Sequence, residues 1–149
     1  MTTDATTTGT PIIIERTFHA PIANVWKALT DKHEMKKWYF DVSDFKPEVG
    51  FEFEFSGGSD EKTYRHLCKV LEAVPEKKLS YSWRYDAYEG NSILNFELFG
   101  EGNDTRLKLT HSGIDTFPRE KDFARSSFTE GWTHIINTSL KDYLEGKEK

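Results

Sequence analysis

The most restrictive feature of this sequence is a series of strand-like runs separated by short turn segments. The first run alternates apolar and acidic residues, with Phe51, Phe53 and Phe55 separated by Glu52 and Glu54. Further strand-like runs lie at about Tyr64–Val74, Lys78–Tyr85, Ser92–Phe99 and Thr105–His111. The gaps read GGSDEK, PEKK, DAYEGN and GEGND, which are residues typical of turns. Connections this short permit hairpins but no parallel crossovers, so the runs predict an antiparallel meander.

Alternation also predicts an inner and an outer face for the sheet. The residues assigned to the inner face are Leu79, Tyr81, Trp83, Leu94, Phe96, Leu98, Leu107, Leu109 and His111. The alternate positions carry Ser80, Ser82, Arg84, Asn95, Glu97, Arg106 and Lys108, so that face is expected to meet water. In the run Tyr64–Val74 the assignment stays open, because a bulge there would exchange His66 for Leu67 on the inner face.

The segment SFTEGWTHIINTSLKDYL is predicted to be the helix that covers the inner face. Its apolar side is formed by Phe128, Trp132, Ile135, Ile136, Leu140, Tyr143 and Leu144. Ser127 and Glu130 match an S-x-x-E capping box and Gly146 stands at a C-cap position, which predicts one helix of about 18 residues. Gly131 costs this helix up to about 1 kcal/mol relative to Ala. A close approach by backbone or ligand would explain the glycine, and so would a surface turn.

The N-terminal part of the chain predicts one strand followed by two short helices. Residues Pro11–Phe18 are rich in β-branched side chains, and Pro21 then begins an amphipathic helix of about ten residues. Asp31 and Glu34 match a second capping pattern, for a short helix ending near Trp38. The predicted fold class is α+β: a curved antiparallel sheet of about six strands wrapped around a long C-terminal helix. Residues 11–146 are expected to form this single domain, and the polar, Thr-rich residues 1–10 a disordered tail.

Composition excludes several classes of protein. With 149 residues, a net charge of -5 and basic residues scattered among acids, the chain has no basic patch for nucleic acid. The lone Cys68 has no partner for an internal disulfide and lies in a strand-like run, which favours a buried thiol and a reducing compartment. No signal sequence or membrane span is visible, so a cytoplasmic protein without membrane attachment is expected.

The order of these segments resembles the START-like, or helix-grip (SRPBCC), superfamily. Within it, the chain is similar to the C-terminal domain of the activator of heat-shock-protein ATPase. The resemblance is carried by IERTFHAPIANVWKALTD, MKKWYF, VLEAVPEKKLSYSW, RLKLTHSG and SFTEGWTHIINTSLKDYL, together from about Ile12 to Leu144. It implies a sheet curved around the last helix and a cavity that in relatives holds an apolar or amphipathic molecule. The superfamily includes lipid carriers, hormone receptors, cyclases and co-chaperone domains, so fold alone leaves the activity open.

Aromatic and histidine residues are the candidates for a binding site. The predicted ligand-binding residues are Trp38, Phe40, Phe53, His66, Tyr81, Trp83, Phe96, His111, Phe128 and Trp132. For any single ring, core packing is the competing interpretation, and for each inward histidine it is a hydrogen-bonded core imidazole. His33 begins H-E-x-x-K, which lacks the second ligand of a zinc-protease helix. The sequence contains no nucleotide, metal or nucleophile motif, so we expect no catalytic residue, metal or cofactor.

These observations favour non-catalytic binding of a hydrophobic or amphipathic small molecule between sheet and helix, in a cavity of at least ~300 Å³. One alternative is a stress-related co-chaperone module that contacts an ATP-dependent chaperone. Another is a small cyclase or hydratase in which His66, His111, Tyr81 or Glu72 performs acid–base chemistry. Both a monomer and a homodimer remain compatible with the sequence.

Overall fold

A computed structural model describes residues 11–58, 63–118 and 125–146. The predicted tail, residues 59–62 of the GGSDEK turn, residues 119–124 and residues 147–149 lie outside these ranges. The strands are β1 (Ile12–Phe18), β2 (Glu52–Gly58), β3 (Thr63–Val74), β4 (Lys78–Tyr85), β5 (Ser92–Glu101) and β6 (Asp104–Ser112). Helices α1 (Ile22–Thr30) and α2 (Lys32–Trp38) follow β1, and a 3₁₀ turn (Ile114–Thr116) follows β6.

The six strands form one antiparallel sheet in the order β1-β6-β5-β4-β3-β2. Strands β2 to β6 are the predicted meander, in which each strand pairs with the next along the chain. Strand β1 returns to pair with β6, from Ile12 opposite His111 to Phe18 opposite Thr105. The prediction of an α+β fold with about six antiparallel strands is therefore confirmed.

A bulge in β3 bends the sheet. The pairing of β3 with β4 shifts between Val70 and Glu72, so one extra residue stands in β3 at this point. Such a bulge increases local twist and helps the sheet to curve. His66 precedes the bulge and is buried, whereas Leu67 is only half-buried. The structure thereby settles the open choice in this strand, with His66 on the inner face.

The two short helices form where they were predicted. The side chain of Asp31 accepts hydrogen bonds from the backbone N–H groups of His33, at 2.8 Å, and Glu34, at 3.4 Å, and so caps α2. Trp38, the last residue of α2, donates from Nε1 to the carbonyl of Ala28 in α1 at 2.8 Å. This bond joins the helices and fixes the direction of the chain that leaves α2.

The last helix differs from the prediction at its start. Residues 125–146 are helical, so Ser127 is not the N-cap. The described start of the helix is held against the residue before β1, because the guanidinium of Arg125 donates to the carbonyl of Pro11 at 3.0 Å. Gly146 is the last helical residue described and is not beyond the end.

The same helix contains a π-helical segment in its middle. It consists of α3 (Arg125–His134), the π segment (Ile135–Leu140) and α4 (Lys141–Gly146), together called the C-terminal helix below. Its buried residues recur at intervals of four: Phe128, Trp132, Ile136, Leu140 and Leu144. In an unbroken α-helix this spacing rotates the stripe by roughly 160° from end to end. The wider π turns reduce that rotation, so all five residues stay buried.

The core lies between this stripe and the inner face of the sheet. Every residue assigned to the inner face of β4, β5 and β6 is at most 5% exposed. Ser80 is the exception on the outer face, being only 4% exposed. Its cross-strand neighbours Glu72 and Asn95 carry longer side chains that flank it.

Candidate functional site

A cleft opens between the sheet and the first half of the C-terminal helix. Its volume is about 250 Å³. We call it the aromatic cleft, because rings dominate its walls, which are formed by Phe40, His66, Trp83, Tyr85, Ser127, Phe128, Gly131, Trp132 and Ile135. The mouth faces solvent where exposed Gly131 and half-buried Phe40, Ser127 and Ile135 stand. The predicted residues Phe40, His66, Trp83, Phe128 and Trp132 are thereby brought together.

The floor of the cleft is a set of rings on β3 and β4. His66 meets Trp83 edge to face with ring centroids 4.9 Å apart, and Tyr85 in the same manner at 4.7 Å. The indole Nε1 of Trp83 donates to the hydroxyl of Tyr85 at 2.9 Å. Edge-to-face packing is favourable for aromatic pairs, so these rings support one another and hold a fixed surface.

The opposite wall belongs to the C-terminal helix. Trp132 packs against Trp83 with centroids 5.3 Å apart. The same indole stacks on Tyr39 with ring centroids 6.2 Å apart. Phe128, one turn earlier, is 8% exposed and forms the wall nearer the mouth. The indole of Trp132 therefore joins the helix to the sheet at the closed end of the cleft.

A buried chain of hydrogen bonds fixes Trp132 in place. Its Nε1 donates to Nδ1 of His111 at 2.9 Å, so that nitrogen is the acceptor of a neutral ring. Nε2 of His111 then donates to the hydroxyl of Ser92 at 2.7 Å, and this hydroxyl donates to the carbonyl of Trp83 at 3.0 Å. Every polar group in this series of hydrogen bonds has a partner. Burial lowers the pKa of His111 to about 3, which keeps the ring neutral.

His66 is oriented differently, with one nitrogen left for the cleft. Its Nδ1 lies 3.0 Å from the carbonyl of Tyr64, which can only accept, so Nδ1 carries the proton. Nε2 is then an acceptor. Burial lowers the pKa of His66 to about 4, although the carbonyls of Tyr64 and Phe55 oppose the decrease. The ring is neutral near pH 7.

Phe40 reaches the cleft because β2 has a glycine beneath it. Phe40 stacks on Phe55 with centroids 4.3 Å apart. A Cβ atom added to Gly57 would stand 3.0 Å from the ring of Phe40, closer than nearly all real contacts allow. Gly57 therefore makes room for the ring that closes one side of the mouth.

Gly131 lies on the helix wall at the mouth, between Phe128 and Ile135 one turn away on either side. An added Cβ atom would meet nothing within 4 Å. Close approach of the backbone, one explanation predicted from the sequence, is thus absent at this glycine. Gly131 is exposed, as the alternative explanation of a surface turn requires, and no side chain there covers the entrance of the cleft.

The other predicted site residues lie outside the cleft. Trp38, Phe53, Tyr81 and Phe96 are packed in the core, each at most 4% exposed. The hydroxyl of Tyr81 meets that of Tyr39 at 2.7 Å, and burial is the main reason that the pKa of both phenols is raised well above its ordinary value. His111 lies behind Trp132 and does not reach the open space. Ligand contact for these five residues stays a prediction.

The arrangement is poorly suited to acid–base or thiol chemistry. A general base works best when its pKa is near the operating pH, and both buried histidines are far below it. Burial raises the pKa of the Cys68 thiol well above its ordinary value, which suppresses the thiolate. Glu72, a predicted acid–base candidate, is exposed on the outer face and pairs with Lys78 at 3.1 Å, so its assignment to the cavity was wrong. Among the described residues, no three His, Cys, Asp or Glu side chains are grouped to hold a metal.

The cleft is smaller than the ~300 Å³ expected for a drug-sized guest. A larger concavity of about 570 Å³ lies on the outer face of β2, β3 and β4. Its side chains include Glu52, Glu54, Lys69 and Arg84, so it is a charged surface hollow. The aromatic cleft is the better candidate for an apolar ligand because rings enclose it on both sides.

Several residues of the site and its support were not predicted from the sequence. Tyr85 continues the inward parity of Tyr81 and Trp83, and Ser92 has that of Leu94, so alternation extended to the strand ends would have found both. Ile135 was assigned to the apolar stripe but not to the cleft. Ser127 carried no signal beyond its supposed capping role.

Comparison with known proteins places this geometry in a family. The family model described as "Activator of Hsp90 ATPase homolog 1-like protein" matches residues 19–145. The Hsp90 co-chaperone AHA1 of Saccharomyces cerevisiae is 24% identical over 140 residues, which are 89% of this chain and 38% of the yeast protein. This chain thus spans well under half of that curated relative.

Solved structures of similar length show the same fold. Protein MLL2253 from Mesorhizobium loti is 28% identical with a TM-score of 0.70, covering 91% of this chain and 96% of its own. Protein BH1534 from Bacillus halodurans is also 28% identical with a TM-score of 0.71, covering 90% and 96%. Within the described part of the chain, no helix has the length and apolarity needed to cross a membrane. The chain belongs to the family of activator of Hsp90 ATPase homolog 1-like proteins.

Proposed function

We propose that this protein binds a small, neutral and mainly apolar molecule in the aromatic cleft. The observation that carries the proposal is an open volume of about 250 Å³ between rings of the sheet and rings of the C-terminal helix. None of the described lining side chains is charged near pH 7, because the pKa of His66 is lowered to about 4. A charged guest would lose hydration without gaining a counter-charge, which disfavours it.

The volume sets the size of the guest. An apolar protein cavity of about 150 Å³ accepts a benzene ring, whereas drug-sized ligands need about 300 Å³ or more. The aromatic cleft lies between these values. A guest of one ring or two fused rings fits, which narrows the class predicted from the sequence.

The open mouth at Gly131 supports this use of the cleft. Glycine inside a helix costs up to about 1 kcal/mol relative to alanine, and an alanine here would meet no neighbour within 4 Å. Packing therefore gives no reason for glycine at this position. A small residue here leaves a guest room to pass between Phe128 and Ile135, whereas a large side chain would fill the mouth.

Titration with indole and its isostere benzofuran, followed by NMR, tests the proposal. We expect saturable shifts of the Trp83 and Trp132 indole N–H signals in the wild-type protein. Gly131→Leu, which places a large side chain in the mouth, should weaken binding of both probes at least tenfold. Gly131→Ala is the matched control and should bind within twofold of wild type. No saturable binding below about 1 mM, equivalent to about -4 kcal/mol, would contradict the proposal, and so would equal binding by Gly131→Leu.

A co-chaperone role is the second candidate, supported by the match to the yeast Hsp90 co-chaperone AHA1 over 89% of this chain. It concerns the outer surface of the molecule and is compatible with an occupied cleft. The test is the ATPase rate of Hsp90 with and without this protein at saturating concentration. An unchanged rate, together with no co-migration of the two proteins, would remove this candidate.

A further inference from the structure

We propose that His66 selects guests that carry one hydrogen-bond donor, so that the preferred ligand is a small aromatic N–H or O–H compound of the indole or phenol class. This inference rests on the proposed function, since it concerns the same cleft. It adds a specificity that apolar walls alone do not provide.

The tautomer of His66 is set by the backbone. Because Nδ1 donates to the carbonyl of Tyr64 at 3.0 Å, Nε2 of the neutral ring bears the lone pair. Nε2 makes no hydrogen bond to any side chain or backbone group of residues 11–58, 63–118 or 125–146. His66 is 6% exposed, yet its ring forms part of the cleft wall. The wall of the cleft thus contains a hydrogen-bond acceptor that no donor among the described residues occupies.

Neighbouring rings hold this acceptor in one orientation. The imidazole stacks on Phe55 with centroids 4.4 Å apart and planes 13° from parallel, while Trp83 and Tyr85 pack against it edge to face. A side chain fixed in this way loses little conformational entropy when a guest binds. Burial also keeps it neutral near pH 7, so it accepts and does not repel a donor.

The cost of an unpaired acceptor predicts that guests with a hydrogen-bond donor bind more tightly than guests without one. A guest without a donor removes water from Nε2 and leaves a buried acceptor unpaired, whereas an N–H or O–H guest satisfies it. Discrimination by an otherwise unpaired polar group exceeds discrimination by shape alone. Indole and benzofuran form a suitable pair, because they share size and shape and differ in the donor.

The experiment measures the dissociation constants of both compounds for three proteins by calorimetry. In the wild-type protein we expect indole to bind about five- to tenfold more tightly than benzofuran, the effect of one net hydrogen bond. In His66→Phe the two constants should come within twofold, while benzofuran still binds. The control His134→Phe, at an exposed position of the C-terminal helix, should keep the wild-type preference.

The outcomes separate this inference from the function on which it rests. Equal binding of both compounds by the wild type, or an undiminished preference in His66→Phe, would overturn the role of His66 and leave the cleft as an apolar site. Failure of both compounds to bind would overturn both proposals. If His66→Phe does not fold, the ¹⁵N resonance of His66 Nε2 in the wild type decides: a shift with indole and none with benzofuran supports the inference, and no shift with either refutes it.

Discussion

Replacing Ser92 by alanine is the sharpest test of how the cleft is supported. Ser92 is 1% exposed, and its hydroxyl joins two buried groups, accepting from His111 and donating to the carbonyl of Trp83. The Ser92→Ala protein loses both bonds and little volume. An unpaired buried polar group costs about 1–3 kcal/mol, so we expect the free energy of unfolding to fall by about 2–4 kcal/mol.

Ser80→Ala is the matched control. Ser80 is also a buried strand serine, at 4% exposure, but within the part of the chain described here its hydroxyl forms no hydrogen bond. Its replacement should change the free energy of unfolding by about 0.5 kcal/mol or less. Urea denaturation monitored by tryptophan fluorescence measures both variants, and an unchanged m-value shows that the midpoints report stability. Equal stability of the two variants would refute the hydrogen-bond chain.

The same series of hydrogen bonds predicts that the stability effects of substitutions at Trp132 and Ser92 are coupled. Trp132→Phe removes the donor to Nδ1 of His111, and Ser92→Ala removes the acceptor of Nε2. Both changes release the same imidazole, so the double variant should lose at least about 0.5 kcal/mol less than the sum of the single losses. If the losses of unfolding free energy in the two single variants add exactly in the double variant, His111 does not connect Trp132 and Ser92.

Three further predictions concern stability. Because burial keeps His66 and His111 neutral while an unfolded histidine is protonated below a pKa of about 6.5, stability should be lost as the pH falls, by about 2 kcal/mol per histidine from pH 7.5 to 5.0. Urea denaturation of His66→Phe should show about half of this loss, and the full wild-type loss would contradict the assignment. Asp31→Ala removes the α2 cap and should cost about 1 kcal/mol by the same assay, with no change counting against the cap. Gly131→Ala should raise the unfolding free energy by up to about 1 kcal/mol, and a decrease would show that the space at its Cβ is occupied.

The sequence predicted the sheet well because strand alternation and turn chemistry are local signals. The inward parity of β4, β5 and β6 followed directly from every second residue, and the hairpins from the short gaps. The start of the C-terminal helix was misplaced because an S-x-x-E pattern also occurs inside helices. Here the helix already includes Arg125, whose side chain bonds the carbonyl of Pro11. The π segment had a signal that was overlooked, since a strict four-residue spacing does not match 3.6 residues per turn.

The cleft itself was less predictable than the faces of its strands. Parity indicates that Trp83 and Tyr81 both point inward, but only packing decides that Trp83 borders open space while Tyr81 is enclosed by Phe53 and Phe96. The role of each histidine depended on partners that strand alternation does not identify. His111 meets Trp132, which lies 21 residues later in the C-terminal helix, whereas His66 bonds the carbonyl of Tyr64 in its own strand and keeps one nitrogen for the cleft.

A structure of the protein in complex with indole tests the central claim most directly. We expect one indole in the aromatic cleft, in contact with the rings of Trp83 and Phe128 and with its N–H within hydrogen-bond distance of Nε2 of His66. Indole found only in the charged hollow on the outer face, or rings of the cleft closed upon one another with no guest between them, would contradict it.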